Sequence, residues 1–378
     1  MAVRILHLAF EDPNQPGSGG GSVCTREIAR RLSGRHEITA IVAGYPGVRE
    51  RIEDGIHWIP IGTRTGKRLD QLTYFALAGA QVLRRPHDLV VENSSAPFGV
   101  GFSPLLTKKP VIAHVLWADT RAMRDKYHLP FDRVNRCGLQ VHNTFITISE
   151  WAAASIRRAR PRASITIAAP GIPDEAFTVE RMRPEHLLYV GRLDMQNKGG
   201  DLLFESYARV RSALGDRTPP LIVAGDGADR AAMEAYAAGM GLSEHVRFHG
   251  RVTDAEKFRL MASAHAVLMP SRYETFGMVA AESQAAGAPV VAFNVGALSE
   301  AAGAGGACLV PPFDVAAFAD AVVALLECPP LADQLRRTGR QWARRYNWDV
   351  VAAIHEEQYL RVTAKANRLR PVEAREPR

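Results

Sequence analysis

Short apolar runs alternate with helical segments along most of this chain, and this alternation limits the folds that the sequence can adopt. A buried strand is predicted over residues 3–9, a helix over 22–32 and a second strand over 38–43. Strands separated by helices form mostly parallel sheets that helices cover on both faces. The pattern breaks at the Pro/Gly segment 169–173, which is typical of a domain boundary, and then resumes. The sequence therefore predicts two doubly wound, Rossmann-like α/β domains.

The other predicted elements follow the same alternation in both halves of the chain. In the first half, strands are expected at 56–61, 88–92, 111–115 and 144–149, with a helix at 70–83. In the second half, strands are expected at 186–191, 220–224, 246–249, 266–269 and 289–293, with helices at 200–213, 230–238, 278–286 and 351–370.

Composition narrows the class of protein. With 378 residues, 47% of them hydrophobic and 23% charged, the chain is long enough for two domains with cores of their own. No apolar run approaches the ~18–20 residues that span a bilayer, and the first residues are expected to form a strand rather than a signal sequence. We therefore expect a cytoplasmic protein whose four scattered cysteines are buried thiols without metal-ligand spacing.

The net charge of +7 favours an anionic partner. Arg26 and Arg30 have helical spacing, which predicts a basic stripe suited to an anionic small molecule or to the inner surface of a membrane. The alternative is a solvated helix face. Nucleic acid is not an expected partner, because no aromatic-rich basic ribbon, zinc knuckle or recognition helix accompanies these residues.

A glycine-rich loop, residues 14–22, joins the first predicted strand to the first helix. At the carboxyl end of a parallel strand, backbone amides without side chains can come close to a phosphate. Gly17, Gly19 and Ser22 nearly reproduce the dinucleotide-binding fingerprint, but that fingerprint needs an acid at the end of the second strand. This chain has Gly44 and Tyr45 there, so an NAD-dependent dehydrogenase is disfavoured. A merely flexible loop is the alternative.

The first loop of the second predicted domain, residues 191–200, carries two cations. Arg192 and Lys198 lie six residues apart between a strand and a helix, where a guanidinium fork and an ammonium can clamp a diphosphate. The alternative is a pair of surface cations.

The segment 271–289 follows a predicted strand and contains two acids eight residues apart. Glu274 is expected at the mouth of a helix and Glu282 about two turns along it, offset by about 80°, so that both can border one cleft. Gly277 lets backbone amides at the helix N-terminus come close to an anion. The alternative is an amphipathic helix with a capping acid and a solvated glutamate.

Three further sites lie at predicted strand ends. Backbone groups near Gly225 and near Arg251 and Val252 are suited to a base pocket, with ordinary turn glycines as the alternative. His114 ends the strand at 111–115, on the expected rim of the cleft, where it can contact a sugar or be structural.

Together these motifs resemble the retaining glycosyltransferases of family 4, which have the GT-B fold of two Rossmann-like domains facing across a cleft. The resemblance covers nearly the whole chain and rests on the glycine-rich loop, GR-x₅-KGG at 191–200, AGDG at 224–227, FHGRV at 248–252, and E-x₇-E followed by AAGAPVVA. It implies a first domain at 1–169, a donor domain at 174–355 and a C-terminal helix, about 356–378, that crosses back to the first domain.

The resemblance also implies roles for the candidate residues. Arg192 and Lys198 would bind the donor diphosphate, Glu282 the ribose, and Glu274 the donor sugar. Glu274, Arg192, Lys198 and His114 are thus the expected catalytic residues, with His114 contacting sugar hydroxyls. The other expected donor-binding residues are Gly20 and Gly21 near the phosphates, Arg251 and Val252 beside the base, and the backbone of Phe276, Gly277 and Met278 beside the sugar.

The function that the resemblance implies is transfer of a hexose, with retention and without a metal or other cofactor. The expected donor is a UDP- or GDP-sugar, and the expected acceptor is a hydroxyl of a bacterial glycan, a lipid-linked glycan or a small metabolite. A nucleotide-sugar epimerase of the same fold and a non-catalytic nucleotide-sugar-binding protein are the alternatives, ahead of a dehydrogenase.

Overall fold

The computed structural model describes residues 2–16, 18–65, 68–94, 101–116, 131–303 and 305–368. The chain divides into two compact units. Unit 1 comprises the chain up to Pro170 and again from Trp348, and unit 2 comprises Gly171–Asn347. The predicted donor domain, 174–355, is therefore eight residues too long at its C-terminal end, because residues 348–355 belong to unit 1.

Unit 1 is built on a sheet that has eight strands among the described residues, in the order β3-β4-β2-β1-β5-β6-β7-β8. Every pairing is parallel except that of β3 with β4. The strands are β1 (Arg4–Phe10), β2 (Glu37–Ala43), β3 (Arg51–Glu53), β4 (Ile56–Ile61), β5 (Leu89–Asn93), β6 (Val111–Val115), β7 (Thr144–Thr147) and β8 (Ser164–Ile167).

Helices cover both faces of this sheet, which explains why six of the seven residues of β1 are buried. Ile28 and Leu32 of α1 (Gly20–Leu32) pack on one face, beside Trp348 and Tyr359 of the C-terminal helix, and Tyr74 of α2 (Arg68–Arg84) packs on the other. The helices of unit 1 are α1 (Gly20–Leu32), α2 (Arg68–Arg84), α3 (Phe131–Val141), α4 (Glu150–Ala159) and the C-terminal helix (Trp348–Arg368).

Unit 2 has six strands in the order β11-β10-β9-β12-β13-β14, and its pairings are all parallel among the described residues. The strands are β9 (His186–Val190), β10 (Leu221–Ala224), β11 (Val246–Gly250), β12 (Ala264–Met269), β13 (Val290–Phe293) and β14 (Ala307–Val310). The helices are α5 (Asp174–Thr178), α6 (Gly200–Leu214), α7 (Arg230–Gly239), α8 (Asp254–Ala262), α9 (Met278–Ala285), α10 (Leu298–Ala302), α11 (Val315–Glu327) and α12 (Pro329–Ala343), so that the C-terminal helix is α13.

The strand order of unit 2 locates its ligand-binding edge. The chain runs outwards from β9 through β10 to β11, and then returns to the other side of β9 at β12. Open α/β sheets bind ligands at the carboxyl ends of the two strands that flank such a switch point. In unit 2 those strands are β9 and β12, which precede the two loops that carry Lys198 and Glu274.

Two sequence-based expectations about the surface are wrong. Cys137 and Cys328 are exposed rather than buried and Cys308 is partly buried, whereas Cys24 is buried as expected. The arginines of α1 form no free basic stripe: Arg26 contacts Asp54 at 3.1 Å. The two other arginines of α1, Arg30 and Arg31, are paired with Glu27, and Arg35, just after the helix, is paired with Glu356. Asp54 and Glu356 lie in segments outside α1, so the helical spacing of the arginines does not reveal these ion pairs.

Among the described residues, no single helix is long and apolar enough to cross a membrane; α11 and α12 meet the length and composition criteria only as a pair bent by 101°.

Candidate active site

The loops that follow β9 and β12 are joined by a charged hydrogen bond. Nζ of Lys198 donates to Oε1 of Glu274 at 2.6 Å, and Oγ of Ser271 donates to the same oxygen at 2.8 Å. Glu274 is buried and the side chain of Lys198 is 26% exposed, so this pair is partly shielded from solvent. The structure thus brings together two of the predicted catalytic residues, at the switch point of unit 2.

Backbone packing and a second ion pair hold the two loops together. Arg272 makes a bidentate contact with Asp201 of α6 at 2.8 and 2.6 Å, and its backbone N–H donates to Asn197 O at 2.9 Å. Gly199 has φ of 67°, and a side chain there would collide with the carbonyl of Pro270. Glycine at 199 therefore allows the close approach that places Lys198 beside Glu274.

Arg192 lies on the same loop but is held loosely. Its side chain is 65% exposed, and Nη2 is 3.1 Å from Oδ2 of Asp194. Burial opposes ionisation of Asp194, but hydrogen bonds from Asn197 and the charge of Arg192 outweigh it and lower the pKa of the carboxyl group. An exposed guanidinium of this kind is accessible to an incoming anion.

The turn between Glu274 and α9 presents backbone rather than side chains. Phe276 is buried with its ring edge against Tyr346, at a centroid distance of 5.3 Å. Gly277 has φ of 105° and caps α9 without a side-chain hydrogen bond. The amides at the start of α9, including that of Met278, thus lie at a helix N-terminus, which favours negative charge.

Glu282 lies on α9, eight residues after Glu274, and has a different partner from Glu274. Its carboxylate is 3.0 Å from Nζ of Lys257, which also contacts Asp254 at 3.0 Å. Burial raises the pKa of Glu282, although the charge of Lys257 opposes the rise. The pKa of Lys257 is also raised: its two acidic neighbours outweigh its burial. The alternative of a solvated Glu282 is therefore wrong, and Lys257 is a partner of Glu282 that the sequence did not indicate.

Arg251 and Val252 form the short connection between β11 and α8. Arg251 is exposed and Val252 is partly buried. The next residue, Thr253, caps α8 in a reciprocal capping box with Glu256. Lys257 lies one turn after Thr253 and contacts Glu282. Helix α8 therefore links two predicted parts of the site: the connection that would border the base and the acid that would bind the ribose.

In unit 1 the glycine loop is partly helical. Gly20 and Gly21 occupy the first turn of α1, and the amide of Gly19, the preceding cap, donates to Oε2 of Glu11 at 3.2 Å. The chain enters this loop at Phe10, whose φ of 66° is unusual for a bulky residue. Gly17, which the fingerprint argument used, lies outside the described residues.

His114 is not on an exposed rim. It is buried, with Nδ1 3.2 Å from Oδ1 of Asn93, and its ring lies edge-on to His355 of α13 at a centroid distance of 4.9 Å. His7 shares the same Asn93 oxygen at 2.8 Å. The expectation of a rim position fails because α13, which enters unit 1 from the far end of the sequence, covers this end of β6. Among the described residues Nε2 of His114 has no hydrogen-bond partner.

This cluster predicts a steep loss of stability in acid. Burial lowers the pKa of His7 to about 4 and that of His355 to about 3. A lowered histidine pKa means that the unfolded chain binds the proton first, so stability is lost as the pH falls from about 6.5 toward these values. We expect His355→Leu to make the free energy of unfolding less dependent on pH. Between pH 6 and 4 its slope against pH should fall by up to about 1.4 kcal/mol per pH unit, as measured by urea denaturation at several pH values. An unchanged slope would contradict the assignment of His355 as a buried neutral group.

Comparison with known families accounts for both units. The family described as Glycosyltransferase Family 4 matches residues 18–176, and the family described as Glycosyl transferases group 1 matches residues 184–328. The chain belongs to the group 1 glycosyltransferases of family 4. Over 185 residues it is 36% identical to the phosphatidyl-myo-inositol mannosyltransferase of Mycobacterium leprae, an alignment that covers 48% of each protein. The chain spans about half the length of the curated relatives it matches.

Solved structures share the fold over nearly the whole chain. Sucrose-phosphate synthase from Thermosynechococcus elongatus has a TM-score of 0.77 at 20% identity, covering 96% of this chain and 100% of that one. Anabaena HepE in complex with UDP and glucose has a TM-score of 0.68 at 17% identity, covering 94% and 99%. Identities this low show the fold alone, and the predicted GT-B fold is confirmed. The roles of the individual family 4 site residues stay predictions.

Proposed function

We propose that this family 4 protein is a hexosyltransferase. It moves a hexose from a nucleoside diphosphate sugar to an acceptor hydroxyl, with retention at the anomeric carbon and without a metal ion. The observation that carries the proposal is the Lys198–Glu274 pair at the switch point of unit 2, with Arg192 on the same loop and the N-terminus of α9 beside it. This arrangement combines positive charge for a diphosphate with a carboxylate for sugar hydroxyls.

The pair suggests how donor binding reorganises the site. In the structure Glu274 is the counterion of Lys198 at 2.6 Å. A diphosphate that contacts Lys198 supplies a second anion, to which the ammonium can turn, and Glu274 can then accept hydrogen bonds from hexose hydroxyls. We propose that donor binding exchanges one partner of Lys198 for another, which avoids leaving either charge buried without a partner.

Charge stabilisation is the proposed source of catalysis. The bond between the anomeric carbon and the diphosphate oxygen breaks, and Lys198, Arg192 and the amides at the start of α9 stabilise the negative charge on the leaving diphosphate. The acceptor oxygen bonds to the anomeric carbon from the same face, and its proton passes to a leaving phosphate oxygen. Neither Glu274 nor Glu282 forms a covalent intermediate in this scheme.

The donor nucleotide and acceptor are the remaining parts of the proposal. A UDP- or GDP-sugar is favoured, and the structural neighbour HepE, whose complex contains UDP and glucose, supports the UDP form. In unit 2, the ribose is assigned to Glu282, oriented by Lys257 from α8. Acceptors with the hydroxyls of a bacterial glycan, glycolipid or small metabolite fit the family. Cytoplasmic location is proposed because nucleotide sugars are made there.

A transfer assay with product analysis tests this proposal. The purified protein, with EDTA present, is incubated with UDP- and GDP-hexoses and a panel of sugar, inositol and lipid acceptors, and the product anomer is determined by NMR. We expect release of the nucleoside diphosphate and a glycoside with the donor's α configuration. An inverted product would refute retention, activity that EDTA abolishes would refute metal independence, and a changed sugar without transfer would indicate an epimerase.

A further inference from the structure

Helix α2 of unit 1 carries an apolar stripe on its outward side. Leu69, Leu72 and Leu83 are 51%, 55% and 67% exposed, and Ala76 between them is also exposed. At about 100° per residue these four positions fall within about 60° of one another around the helix, and the stripe is about 21 Å long. The opposite side of α2, which includes Tyr74, packs on the sheet. The leucines are thus not the core face of this helix.

The stripe continues onto the neighbouring 3₁₀ turn, Ser103–Leu105. Leu106 lies against α2, because a side chain on Gly79 would come within 3.0 Å of its Cδ1 atom. Leu105 is 69% exposed and Leu106 is 37% exposed. Contiguous exposed leucines on two elements form a patch, whereas single exposed leucines are ordinary on soluble proteins.

Basic side chains gather at the C-terminal end of this stripe. A groove of about 440 Å³ is lined there by Leu83 and Leu106 and by four cations, Arg4, Arg85, Lys108 and Lys109, and its lining contains no acid. Asp88, which follows the lining residue His87, contacts Arg4 at 3.0 Å and Lys109 at 3.5 Å, and the four cations of the lining outnumber it.

The surface of the stripe has no exposed acid on α2. Between residues 68 and 84 the sequence contains one acid, Asp70, and it is buried and accepts hydrogen bonds from the backbone and side chain of Thr65. An exposed apolar stripe that ends in cations and lacks exposed acids has the features of a helix that lies in the plane of a membrane surface.

We propose that the α2 stripe is a docking face for a bilayer that contains anionic phospholipid. Leu69, Leu72, Leu83 and Leu105 enter the headgroup region, and the cations of the groove bind a lipid phosphate. The groove lies before the first residues of β1, β5 and β6, at the amino edge of the sheet, whereas the glycine loop follows the carboxyl end of β1. Docking through this face is therefore separate from the proposed donor chemistry and does not depend on it. The membrane surface expected from α1 is replaced by one on α2, because the arginines of α1 are paired with acids.

Vesicle sedimentation tests the proposal with the full-length protein. Sucrose-loaded vesicles of phosphatidylcholine are compared with vesicles that also contain phosphatidylglycerol, over a range of salt concentrations. We expect binding to the anionic vesicles that weakens as salt is raised. Leu72→Glu combined with Leu83→Glu should weaken it at least tenfold, because two apolar contacts are replaced by charges. Lys108→Gln should weaken it about fivefold.

A matched control separates docking from a general loss of apolar surface. Leu360 is 37% exposed on α13, which packs on the other face of the sheet, so Leu360→Glu should leave vesicle binding unchanged. Circular dichroism and UDP binding report whether each variant is folded. The proposal is overturned if the wild-type protein prefers anionic vesicles no more than neutral ones, or if the stripe variant binds as well as the wild type. It is also overturned if the stripe variant only splits a dimer in analytical ultracentrifugation, since the stripe would then be an interface between two copies.

Discussion

Lys198→Ala is expected to lower kcat/KM for the nucleotide-sugar donor by about 10²–10³-fold, the cost of removing one preorganised donor from a shielded site. The affinity for free nucleoside diphosphate should fall by at least about tenfold, as for a hydrogen bond to a charged group. The reason is that Lys198 is held 2.6 Å from Glu274 in a largely buried position, where its charge is poorly screened. Isothermal titration with UDP and initial-rate kinetics give the two quantities.

Two companion variants make this result specific. Lys198→Arg keeps the charge and should retain most of the diphosphate affinity, whereas Glu274→Gln should impair turnover of the intact sugar donor more than binding of UDP. Because Lys198→Ala leaves Glu274 without its cation, circular dichroism must show that the variant is folded at the assay temperature. Wild-type affinity and turnover in folded Lys198→Ala protein would refute the role of this lysine.

Lys257→Met is expected to lower the free energy of unfolding by about 3–5 kcal/mol near pH 8, because it leaves the Glu282 carboxylate buried without its cation. Burial already raises the pKa of Glu282, so this group contributes stability at low pH that is lost as the pH rises through its folded pKa. Removing the opposing charge of Lys257 strengthens that trend. The deficit of the variant should therefore be smaller at pH 4 than at pH 8, as measured by urea denaturation.

The double variant Lys257→Met with Glu282→Leu should recover most of this stability, because a buried ion pair can be replaced by apolar groups at little cost. Arg259 is exposed on the same helix, so Arg259→Met is the matched control, with an expected change within about 0.5 kcal/mol. The double variant should nevertheless bind UDP more weakly than the wild type, because the loss of Glu282 removes the proposed ribose contact. A double variant no more stable than the single one would contradict the pairing.

The alternation of strands and helices was sufficient to predict the fold, because it requires only local apolar patterns. The predicted strand at 111–115 coincides with β6, and the helix predicted from residue 200 begins there. The strand β3 was missed: its three residues, two of them charged, pair antiparallel at the sheet edge and have no apolar period. The strands β8 and β14 were also missed, because each is only four residues long and none of their residues is fully buried.

The site was predictable where position along a strand determines it and not where distant segments meet. Lys198 and Glu274 were placed by the rule that ligands bind beyond the carboxyl ends of parallel strands. Lys257 lies on an amphipathic helix, where a lysine normally faces solvent, and only the packing of α8 on α9 shows its contact with Glu282. The burial of His114 likewise depends on α13, more than 200 residues later in the sequence.

The central claim is that unit 2 binds a nucleoside diphosphate at the switch point between β9 and β12. Its most direct test is a calorimetric titration of the purified protein with UDP, GDP, ADP and NAD in the presence of EDTA. We predict saturable binding of one nucleoside diphosphate, at least tenfold weakened in Lys198→Ala, and no binding of NAD. Binding of NAD alone, or diphosphate binding that Lys198→Ala leaves unchanged, would contradict it.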